Sequence, residues 1–149
     1  METDFASVWS RVTGTSADTP ETQLRRFLKQ KAEFACALKS AASLACDAVI
    51  RRKLTELYSE NCRQMKRLRA ALYLLAGECE CPAIQKRDAP RSLPEALKQL
   101  YESADRAASG FRRAAGDTDR PALETLYAAL ADETKQQADC LLRLTERLF

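Results

Sequence analysis

The stretch from Leu126 to Leu148 restricts the fold more than any other part of the chain. Leu126, Leu130, Glu133, Gln137, Cys140, Leu144 and Leu148 recur every three or four residues, so they share one face of a helix. That face is apolar except at its middle, where Glu133, Gln136 and Gln137 fall. Such a stripe has to be laid against other helices, and a polar patch halfway along a packing stripe is where four-helix bundles hold metal.

The chain has no histidine among its 149 residues. Histidine is the commonest nitrogen ligand for zinc and non-haem iron and the usual general base near neutral pH. Any site that needs an imidazole is therefore excluded. Phosphate-binding glycine loops and a Gly-x-Ser-x-Gly nucleophile turn are missing as well.

A chain of 149 residues suffices for one domain that buries roughly two thirds of its unfolded surface. Hydrophobic residues make up 46% and charged ones 30%, with 4 Gly and 5 Pro, a balance that favours helix. The net charge of +3 is small, and the basic residues are interspersed with acids as on solvated helix faces, so no nucleic-acid partner is expected. No apolar run approaches the roughly 20 residues of a membrane span, and no membrane partner is expected. METDFASVW at the start carries acids and lacks the basic and apolar regions of a secretion signal. A cytoplasmic location is the expectation, with the six cysteines as reduced thiols.

Residues 1–20 read as an N-terminal arm and linker. Phe5, Val8, Trp9 and Val12 repeat at helical spacing and end near Gly14, and Thr15 to Pro20 is a turn-rich link. Such an arm either docks on a partner or covers part of its own bundle, with Trp9 as anchor. Residues 21–149 read as four helices. Thr19 and Pro20 open the first, whose stripe is Leu24, Phe27, Leu28, Lys31, Phe34, Leu38 and Ala41. Asp47 caps the second, about Ala48 to Ala76, whose stripe is Leu54, Leu57, Tyr58, Asn61, Gln64, Met65, Leu68, Leu72 and Leu75 and which stops at Gly77. Ser92 and Pro94 open the third, which runs to about Ala115. Thr118 or Asp119 is expected to cap the fourth, ahead of Pro121.

Residues 77–93 have no helical period and contain Gly77, Pro82 and Pro90. Fully extended they reach about 55 Å, more than the roughly 37 Å of a 25-residue helix. A loop so long in a compact domain needs a reason, and a crossover along the length of a bundle supplies one. Short link, long link, short link is ferritin-like connectivity. The expected fold is thus all-α, a ferritin-like antiparallel four-helix bundle with a long crossover between helices two and three.

The two halves also repeat. A shift of about 73 lays Leu24 on Leu97, Phe27 on Leu100 and Leu38 on Phe111, and a shift of about 72 lays Leu54 on Leu126 and Leu72 on Leu144. The positions that interrupt the stripes then coincide: Lys31 with Ala104, Asn61 with Glu133, Gln64 with Gln136. Paired helical hairpins with polar residues meeting at one level are how carboxylate-bridged di-iron proteins are built.

On VWSRVTG (8–14), LRRFLKQKAEFACAL (24–38), ENCRQMKRLRAALYLLAG (60–77) and LADETKQQADCLLRLTERL (130–148), the chain resembles the small rubrerythrin-like, ferritin-like proteins of anaerobic bacteria. In that family helices one and three each give a Glu to a di-iron centre, and helices two and four each give a Glu-x-x-His pair. The resemblance puts Lys31 and Ala104 at the single-Glu positions, and Asn61-x-x-Gln64 and Glu133-x-x-Gln136 at the pairs. One ligand of six remains. A slip of one residue would bring in Glu60 beside Asn61, or Gln137 beside Gln136, but never a histidine.

A single carboxylate cannot neutralise two iron ions in a buried site. The expectation is that the ammonium of Lys31 takes the metal's place and pairs with Glu133, while Asn61, Gln64 and Gln136 complete the hydrogen bonds. The competing expectation is that Lys31 snorkels outward. Neither a catalytic residue nor a bound cofactor is expected; iron, manganese or zinc would be the metal if one were held.

Of the thiols, Cys36 and Cys140 are expected at similar heights inside the bundle, and Cys62 beside the central layer. Buried cysteine most often behaves as a small hydrophobe; the alternative is a redox or soft-metal site. Cys79-Glu-Cys81 offers two thiolates, half of a structural zinc site. The functional expectation is a ferritin-like protein without its di-iron centre, acting as a non-enzymatic binding or structural module. The alternative is a metal or redox protein with a remodelled site at Glu133, Glu60 and the thiols. A third reading is a scaffold that forms a homodimer through an apolar face, as rubrerythrin-like proteins do.

Overall fold

A computed structural model describes residues 19–78, 82–85 and 88–149. The expected arm, up to Asp18, and the Cys79-Glu-Cys81 segment lie outside the described residues. Within them the chain is all-helical: α1 (Pro20–Leu44), α2 (Ala48–Ala76), α3 (Leu93–Asp117) and α4 (Pro121–Glu146). No helix among the described residues is long and apolar enough to cross a membrane.

The ends of the helices follow from local chemistry. Thr19 accepts from the Thr22 amide at 3.1 Å and Asp47 from the Val49 amide at 2.8 Å. Ser92 accepts from the Glu95 amide at 3.3 Å, while the Glu95 carboxylate reaches back to the Arg91 amide at 3.0 Å. Each such bond satisfies a main-chain donor that the first turn leaves unpaired. Gly77 ends α2 at φ +70°, a left-handed conformation in which a side chain would be strained. The fourth helix departs from expectation. Its N-cap is Arg120 and carries no side-chain cap bond. Thr118 Oγ1 accepts from the Arg120 amide at 3.3 Å instead, so it closes the turn and not the helix.

Two core clusters show how the helices lie. One combines Phe34 and Leu38 of α1, Ile50 and Leu54 of α2, Leu97 and Leu100 of α3, and Leu141 and Leu144 of α4. The other combines Leu24 and Phe27, Leu68 and Leu72, Phe111 and Ala114, and Tyr127 and Leu130. Each cluster takes the same end of α1 and α4 and the opposite end of α2 and α3, so α1 and α4 run one way and α2 and α3 the other. Helix α1 packs on α2 and α3 on α4, and the two hairpins meet through α1 with α3 and α2 with α4. Phe27 anchors the second cluster, 4.4 Å from Phe111 and edge-on to Tyr127 at 5.3 Å between ring centres, arrangements in which aromatic pairs gain beyond their buried area.

Candidate functional site

Between the two apolar clusters lies a thin polar layer. Lys31 of α1, Asn61 and Gln64 of α2, and Thr134 and Gln137 of α4 are all buried, at 2%, 0%, 1%, 1% and 1% exposure. They are the buried polar or charged residues among those described. Helix α3 contributes only the methyl of Ala104, also buried. Each residue sits near the middle of its helix and on the stripe that faces the bundle axis. Helical periodicity thus delivers all of them to one level.

Lys31 is the centre of the layer and does not snorkel outward. Its ammonium donates to Thr134 Oγ1 at 3.1 Å and, at the longer distance of 3.5 Å, to Gln137 Oε1. The Gln137 amide in turn points its Nε2 at Gln64 Oε1, 3.5 Å away. The rings of Phe34 and Phe111 stand 5.7 and 5.6 Å from the Lys31 nitrogen, close enough for cation–π attraction. Asn61 Nδ2 donates to the main-chain carbonyl of Lys31 at 2.7 Å. Two polar atoms in the layer, Asn61 Oδ1 and Gln64 Nε2, are buried without a hydrogen-bond partner.

An ammonium here is costly because water is removed and, among the described residues, no carboxylate touches it. Burial lowers the Lys31 pKa from 10.5 to about 8, against a smaller upward pull from the charges of Glu60 and Glu133. Glu60 is itself held above the ordinary carboxylate range, by burial first and then by the charge of Glu133.

The expected Lys31–Glu133 ion pair is not formed. Glu133 is half-exposed and accepts two bonds from Arg67 Nη1, at 3.0 and 2.7 Å. The partner of Lys31 is Thr134, one residue further along α4. The same rotation corrects the glutamines: Gln137 is buried, whereas Gln136 is exposed and takes no part in the layer. The inward line of α4 is Leu123, Tyr127, Leu130, Thr134, Gln137, Leu141 and Leu144, and Leu126, Glu133 and Cys140 flank it. Thr134 was missed because a threonine beside Glu133 carries no signal of its own. Its four-and-three spacing from Leu130 and Gln137 was the available clue.

The thiols do not assemble into the interior pair expected. Cys36 is exposed, and Cys62 and Cys140 are half-buried. Cys140 packs against the first core cluster, and burial raises its pKa. Cys62 lies by Tyr58, whose phenol is raised above its ordinary value chiefly by the Cys62 charge and hydrogen bond and also by Cys36. Among the described residues, no three Cys, Asp or Glu side chains stand together as a metal site would require.

Chemically, the layer is a buried cation held by a hydroxyl, an amide oxygen and two aromatic faces. It defines a four-helix bundle with a cationic, amide-lined waist. The chain matches no family model, no curated protein and no solved structure in comparisons with known proteins.

Proposed function

We propose that this chain is a ferritin-like bundle whose di-metal position has passed to a lysine and amides, and that it acts as a non-enzymatic binding or structural module. The observation that carries this reading is the Lys31 ammonium, 2% exposed and bonded to Thr134 at the middle of the bundle. A cation at that place repels metal ions, and Ala104 brings no carboxylate from α3 to offset it. The helix directions support the ferritin-like topology: with α2 and α3 running the same way, the link from Gly77 to Leu93 has to travel the bundle's length.

Element analysis of protein purified without added metal tests the reading. The expected result is iron, manganese and zinc at trace level. One or two ions per chain would overturn it and favour a remodelled site that draws on Glu60 and Glu133, the two carboxylates whose charges reach Lys31.

A further inference from the structure

A wide groove of about 1770 Å³ lies between α1 and α3. Its width follows from the sequence, because α3 lines it with Ala96, Ala104, Ala107 and Gly110, and side chains that small leave space between two helices. At its deepest the groove is lined by Lys31 and by Thr134 of α4, so it cuts through to the polar layer at the bundle's middle. The Lys31 nitrogen stands 5.7 and 5.6 Å from the rings of Phe34 and Phe111, and both rings line the groove too. An ammonium has three N–H donors. Those of Lys31 meet Thr134 Oγ1 at 3.1 Å and Gln137 Oε1 at 3.5 Å, which leaves one, and no carboxylate among the described residues takes it.

We propose that this groove binds a single-chain carboxylic acid, with its carboxylate on the Lys31 ammonium and its apolar tail along the alanine-lined side of α3. The inference rests on the reading of the chain as a binding module and gives that module a ligand class. The sign of the ligand is set inside the groove. Its exposed rim carries both charges, Arg106 and Arg113 beside Glu102 and Asp117, and so favours neither, whereas the floor holds a cation that lacks an anion. A carboxylate there supplies the missing charge and accepts the third N–H, the kind of contact that is strong where water is scarce. Lys31 is 2% exposed, so the passage to it is narrow and admits a slim head group on an unbranched chain. From Lys31 back to Pro20, α1 rises about 16 Å, and Phe27, Ala107 and Gly110 line the groove along that course. An apolar tail laid there is shielded from water over its length.

Decanoate and decylamine have the same tail and opposite charges, and calorimetric titration of each into the full chain tests the proposal. Saturable binding of one decanoate per chain is expected, with decylamine about tenfold weaker or less. Lys31→Met should erase that preference by weakening decanoate alone. Ala107→Leu, which narrows the groove, should weaken both probes while far-UV circular dichroism holds; should it lose its helices, the parent and Lys31→Met decide the matter. Equal binding of the two probes, binding of neither, or uptake of several decanoates that Lys31→Met leaves unchanged would overturn the proposal. Metal content measured on the same preparation keeps the two readings apart. At trace metal, those failures remove the ligand and leave the metal-free bundle standing, whereas stoichiometric metal would remove the bundle reading itself.

Discussion

The side-chain amide of Asn61 donates to the main-chain carbonyl of Lys31 at 2.7 Å, tying α2 to α1 at the level of the polar layer. Because the acceptor belongs to the backbone, no substitution at position 31 removes it. Asn61 is fully buried, so Asn61→Ala loses this bond and leaves a small void. The expected cost is about 2–3 kcal/mol, roughly 1 from the hydrogen bond and the rest from the cavity. The same cost is expected in a Lys31→Met background. Urea unfolding of the four proteins checks both, and a loss below about 1 kcal/mol in either background would contradict the contact.

Lys31 should make stability rise with pH. In the folded chain its pKa is lowered from 10.5 to about 8, so between those values the unfolded chain holds a proton that the folded chain has lost. Stability then climbs with pH across that window and is lost again as pH falls through about 8. The size is about 3 kcal/mol at full titration. At pH 7 the buried ammonium is a net burden with no carboxylate among the described residues against it, and a methionine of similar length removes that burden. Lys31→Met is therefore expected to be more stable than the parent by about 1–2 kcal/mol at pH 7. The advantage should vanish by pH 10. Taking the difference between the two proteins cancels Tyr127 and Cys140, whose raised pKa values work in the opposite direction at high pH. A difference that stays constant from pH 7 to pH 10 would mean that Lys31 is not desolvated.

The helices were legible because their ends are chemically marked. Thr19, Asp47 and Ser92 each make the cap bond that their side chains suggest, and Gly77 takes the left-handed turn. The inward face of α1 was legible too, from Leu24 to Ala41, and that of α2 through Leu54, Leu57, Asn61, Gln64, Leu68 and Leu72, while Tyr58, Met65 and Leu75 of the expected α2 stripe are only partly buried at its edge. On α4 two adjacent columns are both half apolar, one through Leu126 and Cys140 and the other through Tyr127 and Leu141. A one-residue offset turns a helix by about 100°, and periodicity alone does not fix that phase. The Lys31–Glu133 pairing failed for this reason. It also failed because Arg67, one turn past Gln64 on α2, reaches the carboxylate where it meets water, which spares Glu133 the cost of burial.

The corrected phase of α4 separates two neighbouring glutamines. Gln136 is exposed and Gln137 is 1% exposed and receives the Lys31 ammonium. Gln136→Ala should change stability by no more than about 0.5 kcal/mol, as surface substitutions do. Gln137→Ala should cost about 2 kcal/mol, because it opens a void and leaves the Lys31 and Gln64 side chains short of a partner. Thermal unfolding of the pair decides the phase, and a reversed order would restore Gln136 to the interior.

Glu133 and Lys31 are predicted to be nearly independent. Lys31 Nζ bonds Thr134 and Gln137, while Glu133 is held by Arg67 with 32% of its side chain exposed. Partly exposed ion pairs of this kind are worth about 0–1 kcal/mol, so Glu133→Leu alone should cost no more than that. In a double-mutant cycle with Lys31→Met, the coupling between the two positions should stay below about 0.5 kcal/mol, since what joins them is a long-range attraction across partly hydrated space. The Arg67–Glu133 cycle should show the larger coupling. A coupling of about 3 kcal/mol between Lys31 and Glu133 would instead mark a buried ion pair, and would require α4 to be turned by one residue from the position in which Thr134 faces the lysine.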